Sequence, residues 1–176
     1  MPPSIILDPT RINTDRIVAD VKAIEAINPH RHGMRMVDAI VYVDEVEHII
    51  AGYKDCRPDE FWAAGHMPGF PIFPGVLMVE AAAQLASYHY IVYGKLYEGG
   101  YLGLGGIEGA RFRAPVRPGD RLMLVGKGIK IDRRRMEFEV QGYVGSTMAF
   151  NLNVIGLPIP GQKKPVAHFA EACANA

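Results

Sequence analysis

Apolar positions in this chain fall into runs with distinct periods. Ile17, Val21 and Ile24 lie on one helical face, with Asn13 or Thr14 as a cap before them and Asn28-Pro29 as a stop after them, so the spacing predicts a helix over roughly 15–27. Runs at about 35–44 and 46–55 are rich in Val, Ile and Tyr, side chains that suit a pleated, half-buried surface, and read as strands. Over about 75–93 the sequence GVLMVEAAAQLASYHYIVY is apolar on nearly every face, as in a helix surrounded by protein. Its polar exceptions include Glu80, Gln84 and Ser87, spaced i, i+4, i+7 and therefore on one face. After a glycine-rich turn from Tyr93-Gly94 to Gly99-Gly100, strands are predicted near 101–114, 119–131, 135–144 and 147–156. Pro115 to Gly119 separates the first two, and Asp132-Arg133-Arg134 and Gly145-Ser146 are the hairpin turns.

One long helix among five or six antiparallel strands is an α+β layer architecture. Ala81, Ala82, Ala83 and Ala86 let a sheet approach closely, and the later strands are long enough to curl around the helix. That is a hotdog-like arrangement. The expected organisation is an N-terminal extension over 1–19, one domain over 20–156, and a flexible C-terminal tail over 157–176, where Pro158, Pro160, Gly161 and Pro165 interrupt regular structure.

With 176 residues, 49% of them hydrophobic, the chain is large enough for one substantial core. Lys+Arg and Asp+Glu both number 19, which argues against general nucleic-acid or membrane-surface binding. The distribution is uneven: nine basic residues between Arg111 and Arg135 face only Asp120 and Asp132, giving +7 there and −7 over the rest. Two cysteines, Cys56 and Cys173, make no disulfide framework and no metal spacing, so a reducing cytoplasm is the expected location. The apolar run Ser4–Leu7 is broken at once by Asp8-Pro9, and the longest apolar segment is interrupted by Glu80 and Gln84, so neither a signal peptide nor a membrane span is expected.

The candidate chemistry sits in residues 65–84. His66 lies in a loop stiffened by Pro68, Pro71 and Pro74, Gly75 opens the apolar helix, and Glu80 is a lone carboxylate in its second turn. An acid inside an apolar helix is costly unless it is paired or functional. A restrained base, an acid and a helix N-terminus within twenty residues point to an acid–base site. Other histidines carry less: His30 and His32 lack acidic or cysteine partners at ligand spacing, so no metal site is expected, and His48 and His89 read as surface and core-edge residues.

The block GHMPGFPIFPGVLMVEAAAQ closely resembles the signature of bacterial 3-hydroxyacyl-[acyl-carrier-protein] dehydratases of the FabZ type. The resemblance continues upstream through Asp20-Val21-Lys22, Asn28-Pro29-His30-Arg31 and Met36-Val37-Asp38, and downstream through Gly106-Ile107, Ala110 to Val116 and Pro118-Gly119-Asp120, covering about residues 20–155. After Pro29-His30-Arg31 the family's usual tyrosine and proline are His32 and Gly33 here. The resemblance implies a hotdog fold, a homodimer sometimes assembled as a trimer of dimers, an acyl carrier protein as partner, and no cofactor. It also implies that the acid comes from the opposite subunit, that the Ile72 carbonyl orients the histidine, and that Gln84 supports the acid.

Dehydrating a 3-hydroxyacyl thioester requires a base for the C2 proton, an acid for the departing hydroxyl and a donor for the thioester oxygen. A neutral imidazole at His66 suits the base. Glu80 suits the acid, because an apolar helix favours the protonated carboxyl. Gly75 offers a helix N-terminal N–H to the developing enolate charge. The basic run, Arg111 and Arg113 in particular, is either a solvated strand face or a docking patch for the acidic carrier protein. Competing readings are a non-catalytic acyl-binding or scaffolding paralogue and a thioesterase on the same fold. Retention of His66, Glu80, Gly75 and Gln84 argues against the first, and the proline loop is not that of hotdog thioesterases.

Overall fold

The computed structural model describes residues 3–94 and 101–159. Six strands, β1 (Ala39–Asp44), β2 (Ile49–Asp55), β3 (Tyr101–Phe112), β4 (Arg121–Ile131), β5 (Met136–Val144) and β6 (Thr147–Ile159), form one antiparallel sheet in the order β1-β2-β4-β5-β6-β3. The long helix α2 (Gly75–Tyr93) packs against the sheet face that carries Ile50, Leu122, Leu124, Phe138, Val140, Leu152 and Val154. Alternation sends the intervening residues to the other face, where Val41, Ala51, Met123, Val125 and Tyr143 make a second, smaller cluster. The helix, its bounds and the α+β hotdog architecture agree with the sequence reading.

The N-terminal part differs from expectation. Helix α1 spans only Val21–Ile27, starting after Asp20, whose Oδ1 accepts the N–H of Ala23 at 2.9 Å. The residues before it are taken by the sheet: Val18 and Ala19 donate to the Ile40 carbonyl, and Ile40 donates back to Ala19 at 2.9 Å. The first described residues also pack on the sheet. Ile6, Leu7 and Ile12 cover the second cluster, and buried Gln141 accepts from Ile6 N at 3.1 Å and donates to the Ser4 carbonyl at 2.8 Å. Strand β1 begins later than expected because Met36 gives its N–H to a side chain on α2 rather than to a neighbouring strand.

Both hairpin turns fall as expected. Asp132 Oδ1 accepts the N–H groups of Arg134 and Arg135 between β4 and β5, and Gly145 adopts φ 57° between β5 and β6. Strand β6 runs three residues further than predicted, to Ile159, pairing with the start of β3. The expected turn over 95–100 and the tail from 160 onward, Cys173 included, lie outside the described residues. Cys56 is a buried free thiol, pushed up to about 12 by burial.

Candidate active site

His66 stands on a loop tied at several points. Its N–H donates to the Trp62 carbonyl at 2.8 Å, Phe70 N–H to Met67 at 2.8 Å, and Phe73 N–H to the Val116 carbonyl at 2.7 Å. Its ring nitrogen Nδ1 lies 2.8 Å from the Ile72 carbonyl. A carbonyl can only accept, so Nδ1 carries the hydrogen, and the neutral ring keeps its lone pair on Nε2. Underneath, the Trp62 and Phe73 rings meet edge to face at 5.2 Å, and Trp62 Nε1 donates to Glu60 Oε2 at 3.1 Å. Buried Lys54 donates to Glu60 Oε1 at 2.9 Å and lies 3.6 Å from Asp38 Oδ2.

The first amides of α2 open beside this histidine. Leu77 and Met78 donate to the Pro74 carbonyl, whereas Gly75 N–H has no partner among the described residues. A Cβ at Gly75 would sit 3.1 Å from the Phe112 ring, so glycine keeps this approach open. His66, Ile72, Gly75, Met78, Phe112 and Arg113 line one cavity of about 390 Å³.

Glu80 lies elsewhere. It lines a separate cavity of about 50 Å³ with His30, Gln84, Ser87, Leu102 and Met136. Its Oε1 accepts from Gln84 Nε2 at 2.7 Å and lies 3.1 Å from His30 Nε2. Gln84 is itself fixed: Oε1 accepts Met36 N–H at 2.9 Å, Nε2 also donates to Met34 O at 2.7 Å, and its carbonyl accepts from Asn28 Nδ2 at 3.0 Å. The Glu80 side chain is 23% exposed rather than enclosed, because the helix face carrying Val76, itself 75% exposed, and Glu80 is not covered by the sheet. Burial alone therefore does not set its chemistry; its neighbours His30 and Gln84 do.

The structure thus brings His66, Ile72 and Gly75 together, and Glu80 and Gln84 together, but in two cavities within one chain. Sequence reasoning missed His30 as a neighbour of the acid; nothing in local periodicity links the two. It also missed Lys54, which had a visible signal: a charge at an inward position of a strand whose alternation is Ile50, Gly52, Lys54.

Much of the basic run is satisfied within the chain. Arg121 makes a bidentate pair with Asp55 (2.6 and 2.8 Å) over the Tyr53 ring, Lys130 meets Asp132 at 3.4 Å, and Arg135 meets Glu137 at 2.8 Å. Around the His66 cavity the arginines have no acidic partner among the described residues: Arg111 touches its neighbour's carbonyl on Ala110, Arg113 holds Asn151 Oδ1, and Arg117 lies over Phe70. His89 is not a core-edge residue; it is fully buried against Phe138, Tyr93 and half-buried His48, and burial pulls it down to about 4.

Residues 28–151 match the model of the FabA-like domain. Curated 3-hydroxyacyl-[acyl-carrier-protein] dehydratases FabZ are similar over most of their length. That of Desulforamulus reducens is 35% identical over 130 residues, 74% of this chain and 90% of the relative. That of Bacillus pumilus is 43% identical over 106 residues, 60% and 72% respectively. Among solved structures, the dehydratase heterocomplex ApeI:P of Xenorhabdus doucetiae shares the fold with a TM-score of 0.67 at 14% identity, covering 80% of this chain and 93% of that one. A thioesterase of Haemophilus influenzae shares it at 0.53 and 17%, covering 72% and 81%. With the family model spanning well over half the chain and the Desulforamulus reducens relative matched along 90% of its length, the chain belongs to the FabA-like family, among the FabZ-type 3-hydroxyacyl-[acyl-carrier-protein] dehydratases.

Proposed function

We propose that this protein is a hydro-lyase that removes water from (3R)-hydroxyacyl chains on acyl carrier protein, giving trans-2-enoyl chains in fatty acid biosynthesis, with His66 as base and Glu80 as acid. His66 Nε2 takes the C2 proton, the C2 electrons form the C2=C3 bond, and the C3 hydroxyl leaves with the Glu80 proton as water. The Gly75 N–H faces the thioester oxygen as charge builds on it, where a helix N-terminus is most favourable. The observation that carries the reading is the single cavity holding a histidine with its Nδ1 occupied by Ile72 and an unpaired helix N-terminal amide.

Among the described residues no acid lines the cavity of His66, and the cavity of Glu80, room for a few water molecules, is too small for an acyl thioester. A homodimer in which each His66 meets the partner's acid supplies what one chain lacks. Strand β3 supports this: it is an edge of the sheet and exposes Tyr101, Leu104, Ile107 and Phe112, a surface that would otherwise invite unspecific pairing. Two-fold pairing is the commonest closed solution, and a trimer of dimers would extend it. No helix among the described residues is long and apolar enough to cross a membrane, and a cytoplasmic location fits a carrier-protein substrate. The test is to incubate the purified protein with 3-hydroxyacyl-carrier proteins of several chain lengths and follow water loss by mass spectrometry. Loss of 18 mass units in wild type but not in His66→Ala is expected; an inactive wild type with all chain lengths sinks the reading.

A further inference from the structure

His30 is the group that the dehydration scheme leaves without a task, yet it lies on the acid. Its Nε2 is 3.1 Å from Glu80 Oε1, and its Nδ1 is buried with no hydrogen-bond partner among the described residues. The segment carrying it is pinned from both sides. Arg31 holds the carbonyls of Glu25 (2.6 Å), Asn28 (2.8 Å) and His30 (2.7 Å), and Gln84 holds Met34 and Met36.

Proton placement follows from Gln84. Met36 N–H can only donate, so the Gln84 oxygen faces it and the Gln84 NH₂ faces Met34 O and Glu80 Oε1. Glu80 Oε1 is therefore an acceptor. If His30 Nε2 also donates to it, the neutral ring leaves a bare lone pair at Nδ1; the opposite tautomer would leave a buried N–H without an acceptor, the rarer and costlier orphan.

We infer that His30 is a positioning residue for the acid: it donates Nε2–H to Glu80 Oε1, which reserves Oε2 for the proton that leaves with the substrate hydroxyl. The inference rests on the dehydratase reading for its catalytic meaning. When Oε2–H passes its proton to the departing hydroxyl, water forms and the carboxylate left behind keeps two N–H donors on Oε1. Among the described residues two charged groups bear on His30, Glu80 from α2 and the adjacent Arg31. Burial and Arg31 hold its imidazole below the ordinary histidine range against the opposing pull of Glu80, as a ring with no acceptor for a second proton requires.

Two measurements test this independently. Long-range ¹H–¹⁵N correlation of wild-type His30 above neutral pH should show the Nε2–H tautomer; an Nδ1–H tautomer overturns the inference without any assay of turnover. In kinetics, His30→Leu should lower kcat about tenfold or more with KM within about twofold, since a hydrogen bond to a developing charge is lost. His30→Gln, which keeps a donor near the same place, should recover most of the loss. A His30→Leu protein with wild-type kcat, or a His30→Gln protein as slow as it, overturns the role. A wild type that turns over no 3-hydroxyacyl thioester sinks the dehydratase reading instead, and the tautomer still decides how His30 faces Glu80.

Discussion

The Trp62 indole and the Phe73 ring meet edge to face 5.2 Å apart, and through this contact the loop that carries His66 rests on the core. Phe73 is 1% exposed, while Phe70, three residues after the loop's positive-φ turn begins at Met67, stays on the surface, where Arg117 lies over its ring. His66 is thus placed by packing as much as by the prolines.

Glu60 is the polar counterpart of that contact. One carboxylate accepts from the Trp62 indole, the Arg57 N–H and the Lys54 ammonium. Burial pushes Glu60 up, but these hydrogen bonds outweigh it and hold the carboxyl below the ordinary glutamate range. A lowered folded-state pKa stabilises above the unfolded value and is lost as pH falls through the folded one. Glu60→Gln leaves buried Lys54 with Asp38, at 3.6 Å, as its carboxylate partner among the described residues, and should cost on the order of 2–3 kcal/mol. The thermal midpoint should fall and kcat with it, and the variant should lose part of the acid limb of wild-type stability. An unchanged midpoint would show that the network does not brace the loop.

The separation of His66 from Glu80 makes a strong demand on assembly. His66→Ala and Glu80→Gln should each lower the rate by about 10²–10⁴-fold without unfolding, as expected for loss of a base or an acid. If the site is shared, mixing the two under subunit exchange restores up to about a quarter of wild-type activity, because half the random pairs are heterodimers with one intact site of two. Sedimentation checks the dimer. An active monomer, or mutants that never complement after exchange is proven by mass, would rule out a shared site.

Helix α2 was legible because its apolar residues cover every face and Pro74-Gly75 marks its start, and strands β4 to β6 because long apolar runs are bounded by the turn residues at Pro115 to Gly119, Asp132-Arg133-Arg134 and Gly145-Ser146. The helix predicted from residue 15 failed because Val18 and Ala19 pair with Ile40 instead, a long-range choice that one-dimensional periodicity does not carry. At the site, His66, Gly75, Glu80 and Gln84 were legible from residue type and spacing together with the family signature. His30 was not, since its relation to Glu80 depends on Gln84 clamping a segment from another part of the chain.

His89 sets a pH dependence unrelated to the reaction. It is fully buried, both ring nitrogens lack partners among the described residues, and burial, with a smaller contribution from His48, pulls it down to about 4. The folded state therefore disfavours the proton that the unfolded chain accepts near the ordinary histidine value. Stability contributed by neutral His89 is complete above about pH 6.5 and is lost progressively towards pH 4, roughly 3 kcal/mol in all. His89→Phe, which suits the aromatic surroundings, should flatten the fall in urea midpoint between pH 6.5 and 4. A variant with the same slope as wild type would assign that limb to other groups.

Arg111 and Arg113 follow from the pairing pattern of the basic run. Arg121, Lys130 and Arg135 are already matched by Asp55, Asp132 and Glu137, so their charge is largely spent within the chain. Among the described residues Arg111 and Arg113 meet only neutral acceptors; Arg113 lines the His66 cavity, and Arg111 is one residue from Phe112, which also lines it. An acidic carrier protein delivering its thioester there would gain from both, chiefly through association rate and in a salt-dependent way. Arg111→Glu with Arg113→Glu should raise KM for carrier-bound substrate about tenfold or more at low salt, with a smaller difference at high salt. Turnover of a short N-acetylcysteamine thioester, which carries no acidic protein, should stay near wild type. If the variant loses both activities equally, the arginines shape the cavity or the fold and do not dock the carrier.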